Sequence, residues 1–332
     1  MLETVPISPH LAVAAGGGLH AVSLSPLQAL GIPVALVGCV FLAFGAEYQQ
    51  RGVAKVSDAR PAGSSRTLGL AQLVALACRP SWLAGTGMLA FAIVLQLFSL
   101  YLAPLTVVQP LGALALVITA VLTARSSHAK LTRDVKRSIG LCVGGVGLFV
   151  IVAALTTTTS PLQNPQLVVV LIILAVVLTA CIVVFAYFRS RLSRIVYVIA
   201  AGVLFGFVAT LAKVLITRVQ TLLQGGFHLT PADSLTIVCF VGLIAAAILG
   251  SYFQQTAYSS GSPELVVAGL TVIDPIVGVS VGIIVLGEAA SAPLWAGIVF
   301  AIAGIIAVTG VVQLSRRTAK PSPATAAAQP HA

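Results

Sequence analysis

Nine apolar runs, each about twenty residues long, divide this chain and restrict its fold more sharply than any other feature. They lie at about 27–46, 82–102, 104–124, 137–156, 167–188, 195–219, 235–257, 265–286 and 292–313. At a rise of 1.5 Å per residue, a helix of that length covers the roughly 30 Å hydrocarbon core of a bilayer. Composition matters here because it removes the soluble alternative. Of 332 residues, 58% are hydrophobic and 8% are charged, whereas a soluble domain carries roughly 25% charged residues. The expected fold is therefore all-α, a polytopic transmembrane helical bundle with nine spans.

The basic residues set an expected orientation, since short cytoplasmic loops retain Lys and Arg and translocated loops avoid them. Arg51, Lys55, Arg60, Arg66 and Arg79 follow the first run, and Arg125, Lys130, Arg133, Lys136 and Arg137 follow the third. Arg189, Arg191 and Arg194 follow the fifth, and Arg316, Arg317 and Lys320 follow the ninth. Sixteen of the eighteen thus fall on one side of a nine-span alternation, which puts the N-terminus outside and the C-terminus inside. The same distribution accounts for the net charge of +10 by topology, so nucleic acid is not an expected partner. Residues 1–26 lack the basic start of a secretory signal and are expected to form an extracytoplasmic segment. The Ala- and Pro-rich residues 314–332 read as a disordered cytoplasmic tail. Five cysteines without metal-ligand spacing read as buried thiols.

Self-comparison divides the spans into two units. Leu105 to Leu111 reads LTVVQPL and Leu270 to Ile276 reads LTVIDPI, identical at four of seven positions at an offset of 165. In the runs that follow, IGLCVGGVG and AGIVFAIAG bring Gly140 and Gly147 into line with Gly297 and Gly304. The third run crosses from outside to inside and the eighth from inside to outside, so the two units are inverted. They are uneven, with four spans in residues 27–156 and five in 167–313. The basic segment 49–80 replaces a helix, and its apolar Leu68 to Cys78 is suited to lying along the inner surface. Inverted repeats place substrate sites near the midplane, where rocking of one half against the other exposes them alternately.

At Leu286, Gly287 and Glu288 the chain carries a Leu-Gly-Glu turn between a Pro-bearing span and a Gly-containing one. In this respect it resembles the drug/metabolite transporter superfamily with its EamA-like halves. The nine spans, the basic loop leading to Trp82 and Gly85, and APLTVVQPLGAL at Ala103 to Leu114 are similar to the NIPA-type branch, which is associated with magnesium. The resemblance covers residues 27–313. The first half departs from the pattern, because Ala124 to Lys130 reads ARSSHAK and lacks the turn.

Ionisable groups within spans cost about 2.5 to 3.5 kcal/mol on insertion scales, and each therefore needs a reason. Asp274 lies ten residues beyond Glu264, roughly 15 Å along the helix and near the midplane, beside Pro275, which frees a backbone carbonyl. It reads either as a proton, cation or substrate contact or as a neutral carboxyl bonded to a neighbouring helix. Lys213 reads either as a cavity-lining cation or as a side chain snorkelling outward, and Arg218 as a snorkelling one. Gln109, which aligns with Asp274, and Gln96, Gln254 and Gln255 are either solute contacts or interhelical hydrogen-bonding groups. Pro110 and Pro275 are helix breakers, and Gly140, Gly147, Gly297 and Gly304 are expected to serve close helix packing. Glu47 and Glu288 are expected at the interfaces, solvated.

These features point to a secondary transporter in the plasma (inner) membrane that moves a small solute, metabolite or drug by alternating access with proton coupling. Magnesium or another divalent cation is the alternative solute, with Asp274 as its ligand, and a non-transporting scaffold is the competing class. No enzyme is expected, because all five histidines fall in loops or termini and no nucleophile–base pair lies at membrane depth. No cofactor is expected. The partners are a small-molecule solute, H+ or Mg2+, membrane lipid, and a second copy of the chain as a homodimer.

Overall fold

The computed structural model describes residues 26–58, 79–126, 132–158, 163–188, 194–225, 233–260 and 263–318. The expectations for residues 1–25, for Leu68 to Cys78 and for the tail beyond Thr318 lie outside these residues. Among the described residues ten helices form: α1 (Pro26–Asp58), α2 (Pro80–Leu102), α3 (Leu105–Leu111), α4 (Ala113–Ser126), α5 (Arg133–Thr156), α6 (Asn164–Phe188), α7 (Arg194–Gly225), α8 (Asp233–Ser260), α9 (Pro263–Ile284) and α10 (Leu294–Thr318). No strand occurs among the described residues. Helices α3 and α4 act as one span, because Gly112 keeps right-handed helical angles and donates to the Gln109 carbonyl as the chain continues into α4.

Nine helical segments long and apolar enough to cross a membrane lie among the described residues, and they coincide with the nine apolar runs. The chain is a multi-pass helical membrane protein. Local chemistry sets several boundaries. Pro26, Pro80 and Pro263 open their helices at the position where a missing N–H costs nothing. Thr132 caps α5, its hydroxyl accepting from the Val135 amide at 3.4 Å, with Asp134 in the first turn. Pro104 excludes Ala103 from the helical region, and Ala103 is accordingly extended, ending α2.

The buried centre is built from the α3–α4 span, 61% of which is enclosed, and from α7. Helices α6 and α8 are peripheral and leave most of their apolar surface to lipid. Helix α1 packs along α2, α7 along α8 and α9, and α5 along α10, while α3 is wedged between α9 and α5. Hydrophobic burial supplies little association energy where the solvent is hydrocarbon, so the crossings depend on close approach. At the α5–α10 crossing, a Cβ added to Gly145 would stand 2.8 Å from the Ala307 Cα and 2.9 Å from the Ala303 oxygen. One added to Gly310 would stand 2.7 Å from the Cys142 Cα.

This corrects the assignment of packing glycines. Gly140, Gly147, Gly297 and Gly304 have nothing within 4 Å of an added Cβ. They sit on faces turned away from the crossing, and the contact belongs to Gly145 and Gly310.

Candidate functional site

The site grows from one irregular point in the backbone. Between α2 and α3 the chain breaks at Ala103–Pro104, and both residues are buried. A helix end leaves orphan amides and carbonyls, and at membrane depth these must be satisfied within the protein. Lys213 of α7 reaches this break from a position eight residues before the end of its span at Thr221, about 12 Å along the helix.

Nearly every orphan group at the break finds a partner. Lys213, 3% exposed, donates through Nζ to the Leu100 carbonyl at 2.6 Å and to the Ala103 carbonyl at 2.8 Å. The Ser99 carbonyl accepts from the Ala103 amide and the Tyr101 carbonyl from the Gln220 side chain. On the α3 side, the Pro104 carbonyl accepts from Val107 and Val108. Glu288 takes the rest. Its Oε1 accepts from the Leu105 amide at 2.7 Å, and its Oε2 accepts from the Thr106 amide at 2.8 Å and the Thr106 hydroxyl at 2.5 Å. An anion thus sits on the amide end of α3 and a cation on the carbonyl end of α2, each complementing the local helix dipole. Glu288 also lies within electrostatic reach of Lys213.

The turn after α9 aims Glu288 into this position. Leu286 donates back to the Val281 carbonyl and Glu288 to the Gly282 carbonyl, with Gly287 between them at φ +69°, a region closed to most side chains. The Glu288 carbonyl in turn accepts from the Thr158 amide, and Gln166 donates to the Leu286 carbonyl. Gly282 gives the carboxylate room, since a Cβ there would stand 2.9 Å from Oε2 and 3.0 Å from the Thr106 hydroxyl.

A polar strip continues along α9 from this cap. Gly278, one turn back, lies against Gln109, which is buried on α3. Asp274 is a further turn back and half-buried, and its Oδ1 is enclosed without a hydrogen-bond partner. There α9 runs close to α7, where a Cβ on Gly206 would stand 3.0 Å from the Asp274 carbonyl. The structure therefore brings Asp274 and Gln109 into one seam and puts Lys213 at its end. Pro110 and Pro275 lie together on another face of the seam, lining an apolar cleft of about 90 Å³ with Val146 and Phe149.

Three of the expected residues stand elsewhere. Gln96 is half-buried on α2, its backbone beside Gly38 of α1, and Gln254 and Gln255 lie near the end of α8, the second of them exposed.

Glu288 and Thr106 are the residues that sequence reasoning passed over. Glu288 is 3% exposed and bonded, not solvated at an interface, and Glu47 is also buried, at 8%. The Leu-Gly-Glu turn was the available signal for Glu288. Lys213 is buried against the carbonyls of the break rather than extended outward. Arg218 bonds to the Asn164 side chain.

No family model matches the chain, and no solved structure matches it. It is similar to an uncharacterized protein of Corynebacterium glutamicum, with 25% identity over 243 residues that cover 73% of this chain and 82% of that protein. The chemistry of the site is therefore read from its own residues. Asp274 can take up a proton or a cation, and the Gln109 amide can donate and accept one turn away. Among the described residues, no group of three His, Cys, Asp or Glu side chains is placed to hold a metal ion.

Proposed function

We propose that this protein is a secondary transporter of the drug/metabolite transporter type, moving a small solute by alternating access with Asp274 as its proton-coupling carboxylate. The observation that carries the proposal is the enclosed, unpartnered Oδ1 of Asp274 in the seam between α9, α3 and α7. A carboxylate kept in a span with one oxygen unpartnered costs stability, and a protonation cycle gives it a use.

A reciprocal contact between the halves supports an inverted repeat as part of this reading. At the offset of 165 taken from the Pro-bearing spans, Gly145 corresponds to Gly310 and Cys142 to Ala307. Gly145 meets Ala307 and Gly310 meets Cys142, a reciprocal pair of contacts of the kind a two-fold axis generates. The pairing of α1 with α2 has its counterpart in α7 with α8. The orientation with N-terminus outside and C-terminus inside, which rests on the basic loops, and the inner-membrane location are both part of the proposal.

The position of Lys213 bears on the sign of the solute. Its ammonium is bound to two carbonyls and faces Glu288, so its charge is compensated away from Asp274. A proton or cation then suits the seam better than an anion. This keeps magnesium as a second reading, with Asp274 as one oxygen ligand of a largely hydrated ion.

Flux into proteoliposomes under an imposed proton gradient, screened over metabolites, drugs and divalent cations, tests the proposal. Asp274→Asn is expected to abolish gradient-driven accumulation and its pH dependence. Unchanged flux of every solute that the unaltered protein moves would refute the role of Asp274. Absence of any flux in the unaltered protein would favour a scaffold.

A further inference from the structure

The cap on the α2–α3 break joins the two halves of the chain. Leu100, Ala103, Leu105 and Thr106 belong to the first half, and Lys213 and Glu288 to the second. Thr158, just beyond the last span of the first half, holds the Glu288 carbonyl as well. Any motion that draws α3 away from α9 at this end breaks the three Glu288 bonds to Leu105 and Thr106 together.

The cap also stands between Asp274 and one membrane face. Eight residues separate Asp274 from Gly282, about 12 Å along α9, and Thr106 and Glu288 meet at Gly282. Gln109 fills the interval against Gly278. In the orientation set by the basic loops, this face is the outer one.

At the offset of 165, Glu288 corresponds to Thr123 and Lys213 to Tyr48, so the repeat does not carry these two residues to the other end. We infer that Glu288, Lys213 and Thr106 form an outer latch, so that the protein rests closed to the outside and opens there only when these bonds are released. The latch has two discrete conditions. Closed and dry, its amides and carbonyls are satisfied by the two side chains; open, water replaces both. The inference rests on the alternating-access reading, and it makes Glu288 and Lys213 positioning residues, since neither touches the unpartnered oxygen of Asp274.

The test uses the full chain in cells, with its five cysteines replaced and a reporter introduced by Gln109→Cys. A membrane-impermeant maleimide added outside should label this reporter slowly while the latch is intact. Thr106→Val removes one of three bonds to Glu288 with little change of shape, and loss of one such bond should raise the external labelling rate roughly fivefold. Glu288→Gln should raise it further. Gel filtration reports whether each variant is folded, and if Glu288→Gln is not, Thr106→Val decides the matter. Fast external labelling with the latch intact overturns the inference, as does an unchanged rate in the folded Thr106→Val variant. The labelling is independent of flux. An unchanged labelling rate beside flux that Asp274→Asn abolishes refutes the latch alone, and the converse refutes the coupling site alone.

Discussion

Gly144 and Gly145 are neighbours on α5, and replacing each with alanine should have opposite effects. Nothing lies within 4 Å of a Cβ at Gly144, so Gly144→Ala adds a methyl group in open space. In a helix interior that exchange gains about 0.5 to 1 kcal/mol through lost chain entropy in the unfolded state. At Gly145 the same methyl meets the Ala307 Cα at 2.8 Å and the Ala303 oxygen at 2.9 Å. These are backbone atoms of α10 and cannot rotate aside, so α5 and α10 must separate. Overpacking of this kind costs about 1 to 3 kcal/mol, which outweighs the entropic gain. The entropic gain is common to both, so the two variants should differ by the overpacking cost, about 1 to 3 kcal/mol. Heating purified protein in detergent and measuring the fraction that remains monodisperse ranks them, with Gly144→Ala at or above the unaltered chain and Gly145→Ala well below it. Gly310→Ala should behave like Gly145→Ala, because its Cβ meets the Cys142 backbone in the reciprocal contact. If Gly145→Ala is as stable as Gly144→Ala, the α5–α10 crossing is not where the close approach occurs.

Glu288→Ala leaves the Leu105 and Thr106 amides without their acceptor, at a cost of about 1 to 3 kcal/mol each. Thr106→Val should destabilise the unaltered chain and have little effect on top of Glu288→Ala, so a double-mutant cycle in thermal stability that proves additive would contradict the bond between them. Lys213→Met keeps the length and apolar stem of the side chain but strips the Leu100 and Ala103 carbonyls of a donor. It should lower stability by about 1 to 2 kcal/mol, and a variant as stable as the parent would mean that the ammonium is not needed at the break.

The spans were legible in the sequence because lipid leaves so little choice. Twenty apolar residues without a charge, such as those between Leu167 and Phe188, have only one stable form at that depth. Asp274 could be singled out for the same reason, since a carboxylate amid valines and isoleucines stands out. Glu288 could not be placed by such reasoning. Its distance from the nearest span end suggests a solvated residue, and its real environment is created by α3 starting below the surface some 180 residues earlier in the chain. The division between the runs at 82–102 and 104–124 was visible, but the depth of the break there was not, because depth depends on how α7 and α9 enclose it. The glycines show a further limit. Matching Gly140 and Gly147 to Gly297 and Gly304 followed the similarity of their patterns, whereas the contact obeys the offset of the preceding spans and selects Gly145 and Gly310.

The cap on the α2–α3 break has a consequence for biosynthesis. The break is made when residue 105 leaves the ribosome, but its two charged partners follow roughly one hundred and one hundred and eighty residues later. At about 5 to 20 residues per second, Glu288 trails Leu105 by some 10 to 40 seconds. During that interval the first four spans sit in the membrane with orphan amides and carbonyls at the break. The break is thus completed in two stages, by Lys213 of the sixth span and then by Glu288 in the turn after the eighth.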